Sequence, residues 1–201
     1  MNKIKAMYDS NPATFAKRYI EYTKTILDGI DTSAVSGFIS LLLKVRQNSG
    51  TVFFIGNGGS ASTASHFAND LSIGTDSFQN PLKAISLTDN LSIITAVAND
   101  YGYSEVFVKQ LQVLAKPNDM LVAISASGNS INLIKAIEFA NLNQITTVGL
   151  TAFDGGAMKN ICLHNIHIPT NIKEYGPAED MHMLLDHLIG AYLKIYFSNE
   201  R

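Results

Sequence analysis

Thr51-Val52-Phe53-Phe54-Ile55-Gly56-Asn57-Gly58-Gly59-Ser60 is the stretch whose reading decides the fold. Its first five residues are β-branched or aromatic without polar alternation, as in a strand buried on both faces. The glycines that follow permit a tight bend and leave backbone N–H groups uncovered. A helix-like segment begins at Ala61, and Ser60 is placed to serve as its N-cap. Strand, glycine turn and helix in that order aim donors and the positive end of a helix dipole at one point, which makes an anion site.

The design recurs further on. Met120-Leu121-Val122-Ala123-Ile124 reads as a strand and runs into Ser125-Ala126-Ser127-Gly128-Asn129-Ser130, followed by a helix from Ile131. Hydroxyl groups there can hold a phosphate without a permanent countercharge. Neither turn is a Walker loop, because the Lys-Ser/Thr pair is missing. Nor is the first a dinucleotide fingerprint: the spacing differs, and no acidic residue closes a strand about 20 residues on. Two anion-type turns after two strands favour a monophosphate ligand.

The rest of the chain alternates. Phe15, Tyr19, Tyr22, Ile26 and Ile30, then Val35, Phe38, Ile39, Leu42 and Val45, recur at helical spacing and predict two helices between Asn11 and Ser49. Ser33 is the expected N-cap of the second. This hairpin precedes the first strand, has little sheet to cover, and is expected to pack against another subunit. Helices are predicted from Ala61 to Ser72, from Thr88 to Val97, over Val106 to Leu114 and over Ile131 to Asn141. Strands are predicted at 84–87, 120–124, 146–150 and, more weakly, 165–169. A last helix is expected from Gly176-Pro177 to about Phe197, with proline at its first position. The pattern is α/β: a doubly wound five-stranded parallel sheet with an N-terminal helical hairpin. One domain spans 1–201, with the helices in 1–49 and the sheet core in 50–201. Ligands bind such sheets at the carboxyl edge, where both turns lie.

Composition narrows the class. Of 201 residues, 46% are hydrophobic and 16% charged, the balance of a globular chain. A net charge of -2 argues against a nucleic-acid partner. The single cysteine, Cys162, precludes an internal disulfide and suits a reducing compartment. No apolar signal core follows the N-terminus, and no run approaches the ~18 apolar residues of a membrane span. The expectation is a cytoplasmic protein with no membrane partner.

With the two turns and Leu150-Thr151-Ala152-Phe153-Asp154-Gly155-Gly156 in view, the chain resembles, over essentially its whole length, the sugar isomerase (SIS) domain family. Within that family it is similar to the phosphoheptose isomerases, which act on sedoheptulose 7-phosphate. The resemblance implies a flavodoxin-like sheet and a homotetramer with active sites at subunit boundaries. It implies a phosphorylated sugar bound by Asn57, Gly58 and Ser60 and by Ser125, Ser127 and Ser130, with Asp100 at a further active-site position. It also implies one zinc ion, at the places of His66, Asp70, Glu179 and His187, and an acid/base pair at Asp70 and His187. No nucleotide cofactor is implied. Two positions depart from the family: Asp70 stands where a glutamate is usual, and Glu179 where a glutamine is.

The residues are consistent with that chemistry. An aldose–ketose isomerase moves a proton between neighbouring carbons and needs a base together with an acid or metal for the oxygens. His66 and Asp70 are i, i+4 and share a helix face. Glu179 and His187 are roughly 12 Å apart along a helix, so one ion joins them only if both side chains reach inward or if they come from different subunits. His182 and Asp186 read as a helix-surface pair without a role. A heptose phosphate for surface polysaccharide is the expected product. A non-catalytic sugar-phosphate binder, a replication-initiator-associating SIS protein and an isomerase of another phosphosugar are the alternatives.

Overall fold

The computed structural model describes residues 3–200. Helices α1 (Lys3–Ala6), α2 (Pro12–Asp28) and α3 (Thr32–Gln47) precede β1 (Thr51–Gly56). There follow α4 (Gly59–Asn69), a π-helical turn (Asp70–Gly74), β2 (Lys83–Ser86) and α5 (Leu91–Tyr101). A 3-10 turn (Tyr103–Glu105), α6 (Val108–Leu114), β3 (Met120–Ser125), α7 (Ile131–Leu142) and β4 (Thr146–Thr151) come next. The chain closes with α8 (Met158–Ile161), β5 (His164–His167) and α9 (Tyr175–Ser198).

Among the described residues the sheet has five strands in the order β2-β1-β3-β4-β5, all pairs parallel. That is the flavodoxin-like order, whose switch point lies between β1 and β3. Gly56 pairs with Ile124, and Ser125 with Thr151, so the two anion-type turns leave the sheet side by side at that crevice.

The central strands β1, β3 and β4 are buried on both sides because helices cover both, whereas the edge strands β2 and β5 are partly exposed. Val52, Phe54, Val122, Ile124, Val148 and Ile166 meet Phe38 and Leu42 of α3, Phe67 of α4, and Met181, Leu185 and Ile189 of α9. Phe53, Ile55, Leu121 and Ala123 meet Leu111 of α6, Ile137 of α7 and Met158 of α8 on the other face. Each such side chain larger than alanine contributes roughly 1.5–3 kcal/mol by leaving water. No single helix among the described residues is long and apolar enough to cross a membrane.

Local expectations need four corrections. The hairpin does have sheet to cover: α3 buries Val35, Phe38, Leu42 and Val45 in the core. A Cβ at Gly37 would lie 2.8 Å from the His164 ring of β5, whose Nε2 donates to the Ala34 carbonyl at 2.7 Å. Asp31, not Ser33, caps α3, its carboxylate accepting from the Ser33 and Ala34 N–H groups. Gly58, not Ser60, caps α4; its φ of 56° and ψ of -125° suit glycine, and Ser60 is buried in the first turn. Pro177 sits third in α9, not first.

Arg46 fastens the far end of α9. Its guanidinium lies 3.9 Å from the Phe197 ring centroid, its Nη1 donates to Glu200 at 2.6 Å, and its Nε donates to the Asn80 carbonyl at 2.8 Å.

Candidate active site

The β1 turn is shaped by close backbone approach. A side chain at Gly56 would collide with the Ser60 carbonyl oxygen. Asn57, next in line, exchanges amide hydrogen bonds with Asn132 in the first turn of α7, at 3.0 and 2.9 Å. The Tyr103 hydroxyl also donates to Asn57 Oδ1, at 2.8 Å. The β1 turn is therefore tied to the helix that follows the β3 turn.

In the β3 turn Ser125 Oγ accepts the Gly128 N–H at 3.1 Å, and Ser127 Oγ accepts that of Asn129 at 3.4 Å. The Gly155-Gly156 loop props it from behind. A Cβ at Gly128 would strike the Gly155 carbonyl, and one at Gly156 would strike that of Ser127. Asn129 locks the two loops, donating to the Ser127 carbonyl at 3.0 Å and accepting from Ala157 N–H at 3.0 Å. The third sequence motif thus supports the second rather than facing a ligand.

Asn57, Ser60, Ser125, Ser127 and Ser130 line one cavity of about 170 Å³, with Tyr175 and Glu179 from the start of α9. Its wall carries neutral donors, the start of α4 and one carboxylate. Gly58 is exposed at the rim with open space around its α-carbon. Glu179 packs against Gly59, whose missing side chain makes room for the carboxylate. Asp100 lies elsewhere, exposed on α5 and accepting from Asn99 Nδ2 at 2.8 Å.

Helices α4 and α9 run side by side in the same direction. Gly59 meets Glu179 at their starts, and seven residues on from one and eight from the other, His66 meets His187. The two Nε2 atoms are 3.3 Å apart, and the rings stand edge to face at 71°. His66 Nε2 is 3.5 Å from Asp70 Oδ2 and 3.9 Å from Asp186 Oδ2. One donor atom from each of His66, Asp70, Asp186 and His187 falls within 4.8 Å of all the others, so this group could hold a metal ion.

Asp70 opens the π-helical turn, and such turns recur at functional sites. Asn69 Nδ2 holds its Oδ1 at 2.9 Å, leaving Oδ2 toward His66. Asp186 is fully buried, and neither of its oxygens has a hydrogen-bond partner. Burial first, and the Asp70 carboxylate second, push its pKa up to about 7. His182 is fully buried too, and burial pushes its pKa down to about 4, so it is neutral at pH 7.

His66, Asp70 and His187 are thus brought together, and so are the five side chains of the two turns. Glu179 stands with the turns, two helical turns from His187. Within one chain it does not join the imidazole group. The reading of His182 and Asp186 as a surface pair is corrected, since both are interior. Asn132, Tyr103 and Tyr175 were not singled out from the sequence. An asparagine in the first turn of the serine-led helix was the available signal. For Asp186 it was a carboxylate inside Met183-Leu184-Leu185-Asp186-His187-Leu188-Ile189.

Comparison with known proteins agrees with this architecture. The SIS domain profile matches residues 18–152. A phosphoheptose isomerase of Helicobacter pylori is 37% identical over 174 residues, covering 87% of this chain and 89% of its own. The phosphoheptose isomerase GmhA from Neisseria gonorrhoeae superposes with a TM-score of 0.76 at 31% identity, over 90% of this chain and 95% of its own. A phosphoheptose isomerase from Francisella tularensis gives 0.78 at 29% identity, over 89% and 95%. With two phosphate-type turns at the switch point and this likeness along most of its length, the chain belongs to the SIS domain family.

Proposed function

We propose that the chain is an aldose–ketose isomerase that converts sedoheptulose 7-phosphate to a heptose 7-phosphate for surface polysaccharide, working in the cytoplasm as a homotetramer. The observation that carries the reading is the shared cavity: the β1 and β3 turns converge on one space fitted to a phosphoryl group, at one end of a helix pair that carries imidazoles and carboxylates at the other.

The phosphate would take hydrogen bonds from the hydroxyls of Ser60, Ser125, Ser127 and Ser130 and from the Asn57 amide, with the α4 dipole favouring its charge. Binding energy from that remote end orients the reacting carbons. Isomerisation removes a proton from C1 of the ketose and returns one to C2, while the C2 carbonyl oxygen gains a proton and the C1 hydroxyl loses one. Asp70 and His187 are the residues assigned to carry these protons. The donor set fits a divalent ion, with two imidazole nitrogens 3.3 Å apart and an unpartnered buried carboxylate beside them. Zinc there would polarise the carbonyl oxygen.

The tetramer reading is supported by α5, which turns Ile94, Val97 and Ala98 to the core but leaves Leu91 72% and Tyr101 62% exposed. A groove of about 440 Å³ between the N-terminal hairpin and α9, lined by Leu27, Ile39, Leu43, Leu184 and Leu188, is a second apolar surface. Asp100 lies on α5, so contact through that helix is how it would reach a site.

The test follows aldose formation from sedoheptulose 7-phosphate, with and without added zinc. His187→Gln is expected to lower kcat by about 10²–10⁴-fold with KM little changed, as loss of a proton-transferring group does. Wild-type protein that binds the phosphosugar without turning it over would favour the non-catalytic binder.

A further inference from the structure

We propose that Asp186 is the fourth donor of a divalent-metal site built by a single chain from His66, Asp70, Asp186 and His187, and that Glu179 is left to the sugar-phosphate cavity. This rests on the metal reading above and goes beyond it, because it replaces one donor and draws all four from one subunit.

The first observation is a buried carboxyl group without partners. Asp186 has no exposed surface, and both carboxylate oxygens lack a hydrogen-bond partner. A buried carboxylate is ordinarily paired or bound to a metal, since isolating it from water is costly. The neighbours it meets are His66 Nε2 at 3.9 Å, from α4, and the other donors of the group, Asp70 and His187. Its partners are therefore themselves ligand-type atoms, one of them a second carboxylate that repels it. A cation between them removes the repulsion and satisfies the unpartnered oxygens together.

The second observation is spacing. Zinc binds nitrogen and oxygen at about 2.0–2.2 Å, which places tetrahedral donors about 3.3–3.6 Å from one another. His66 Nε2 lies 3.3 Å from His187 Nε2 and 3.5 Å from Asp70 Oδ2. Asp186 Oδ2 is 3.9 Å from His66 Nε2, and no pair of donor atoms in the group is more than 4.8 Å apart, so side-chain shifts of about 1 Å close the shell.

The third is the closeness of two backbone segments. Gly190 lies one turn beyond Asp186 on α9, and a Cβ there would stand 3.7 Å from the Asp70 Cβ. The π turn thus sits close against α9, bringing the short Asp70 side chain to the helix that carries Asp186 and His187. Glu179, two turns back, packs against Gly59 beside the serines instead. Two imidazoles with two carboxylates suit Zn²⁺, Fe²⁺ or Mn²⁺ over Ca²⁺ or Mg²⁺, which prefer all-oxygen shells.

The test titrates chelator-treated full-length protein with Zn²⁺ by calorimetry and with Co²⁺ by visible absorption, for wild type, Asp186→Asn, Asp186→Leu and Glu179→Gln. The wild type is expected to take one ion per chain and show the intense bands of low-coordinate Co²⁺. Asp186→Asn should weaken binding by at least about 100-fold, more than loss of an outer hydrogen bond does, and change the bands. Glu179→Gln should leave both within about threefold. Metal-free Asp186→Asn and Asp186→Leu should melt no lower than metal-free wild type, which separates lost ligation from lost folding. Unchanged affinity and bands in Asp186→Asn, or a loss confined to Glu179→Gln, would overturn the assignment, as would wild type that binds no divalent ion. Metal-free turnover of sedoheptulose 7-phosphate would then leave the isomerase reading standing, whereas Asp186-dependent metal binding without turnover would fell that reading and keep this one.

Discussion

Single residues set the shape of the two anion-type turns through what they lack. Gly156 has φ of 54° and faces the Ser127 carbonyl with no space for a methyl group. Gly156→Ala combines left-handed strain with a steric clash, so a loss of about 2 kcal/mol or more in unfolding free energy is expected by urea titration. Weaker protection by phosphosugar should accompany it, because Ser127 moves with the loop. The glycines and serines of these turns were legible in the sequence because the need for them is local. Asp186 was not. Its burial is created by α4 and the π turn arriving from more than 100 residues upstream, and no spacing within α9 announces that. Gly58 against Ser60 is the converse case: either can begin a helix, and only the backbone dihedrals select the glycine.

Elements show the same division. Strands β1 and β3 were readable because they are nearly continuous apolar runs closed by turn residues, and β4 because Thr146, Thr147 and Val148 are β-branched. The π-helical turn at Asp70 was not, since Asp70-Leu71-Ser72-Ile73-Gly74 could equally continue α4. The role of α3 was misjudged because a helix before the first strand can cross to either face, and the Gly37–His164 fit that places it against β5 is a tertiary feature. Helix α2 is tied to the loop before α9 through Tyr22, which donates to Glu174 at 2.5 Å. Burial would raise the Glu174 pKa, yet hydrogen bonds from Tyr22, the Lys3 N–H and Asn171 outweigh it and hold the group below its ordinary value. Its stabilising contribution is therefore present above the ordinary carboxylate value and lost as pH falls through the depressed folded value. Tyr22→Phe should therefore lower the melting temperature at neutral pH and converge with wild type in acid, which flattens the acid limb of a stability–pH curve.

At the scale of the molecule, the parallel sheet and its carboxyl-edge site followed from strand–helix alternation, and the 2-1-3-4-5 order brings the two turns to one crevice. Assembly is where a chain read alone says least, and the exposed apolar side of α5 is what supports the proposed tetramer. A paired change, Leu91→Glu with Ile93→Glu, should lower the mass measured by light scattering and cut turnover if subunits complete one another's sites. Circular dichroism should stay unchanged, because neither residue is in the core.

The cavity wall formed by Asn57, Ser60, Ser125, Ser127 and Ser130 includes neither lysine nor arginine among the described residues. A grip made of dipoles rather than ions releases few counterions, so raising salt about tenfold should hardly move KM, unlike a cationic cradle. In the proposed reaction such a grip would hold the phosphoryl tail of ketose and aldose alike, leaving discrimination between them to the far end of the sugar.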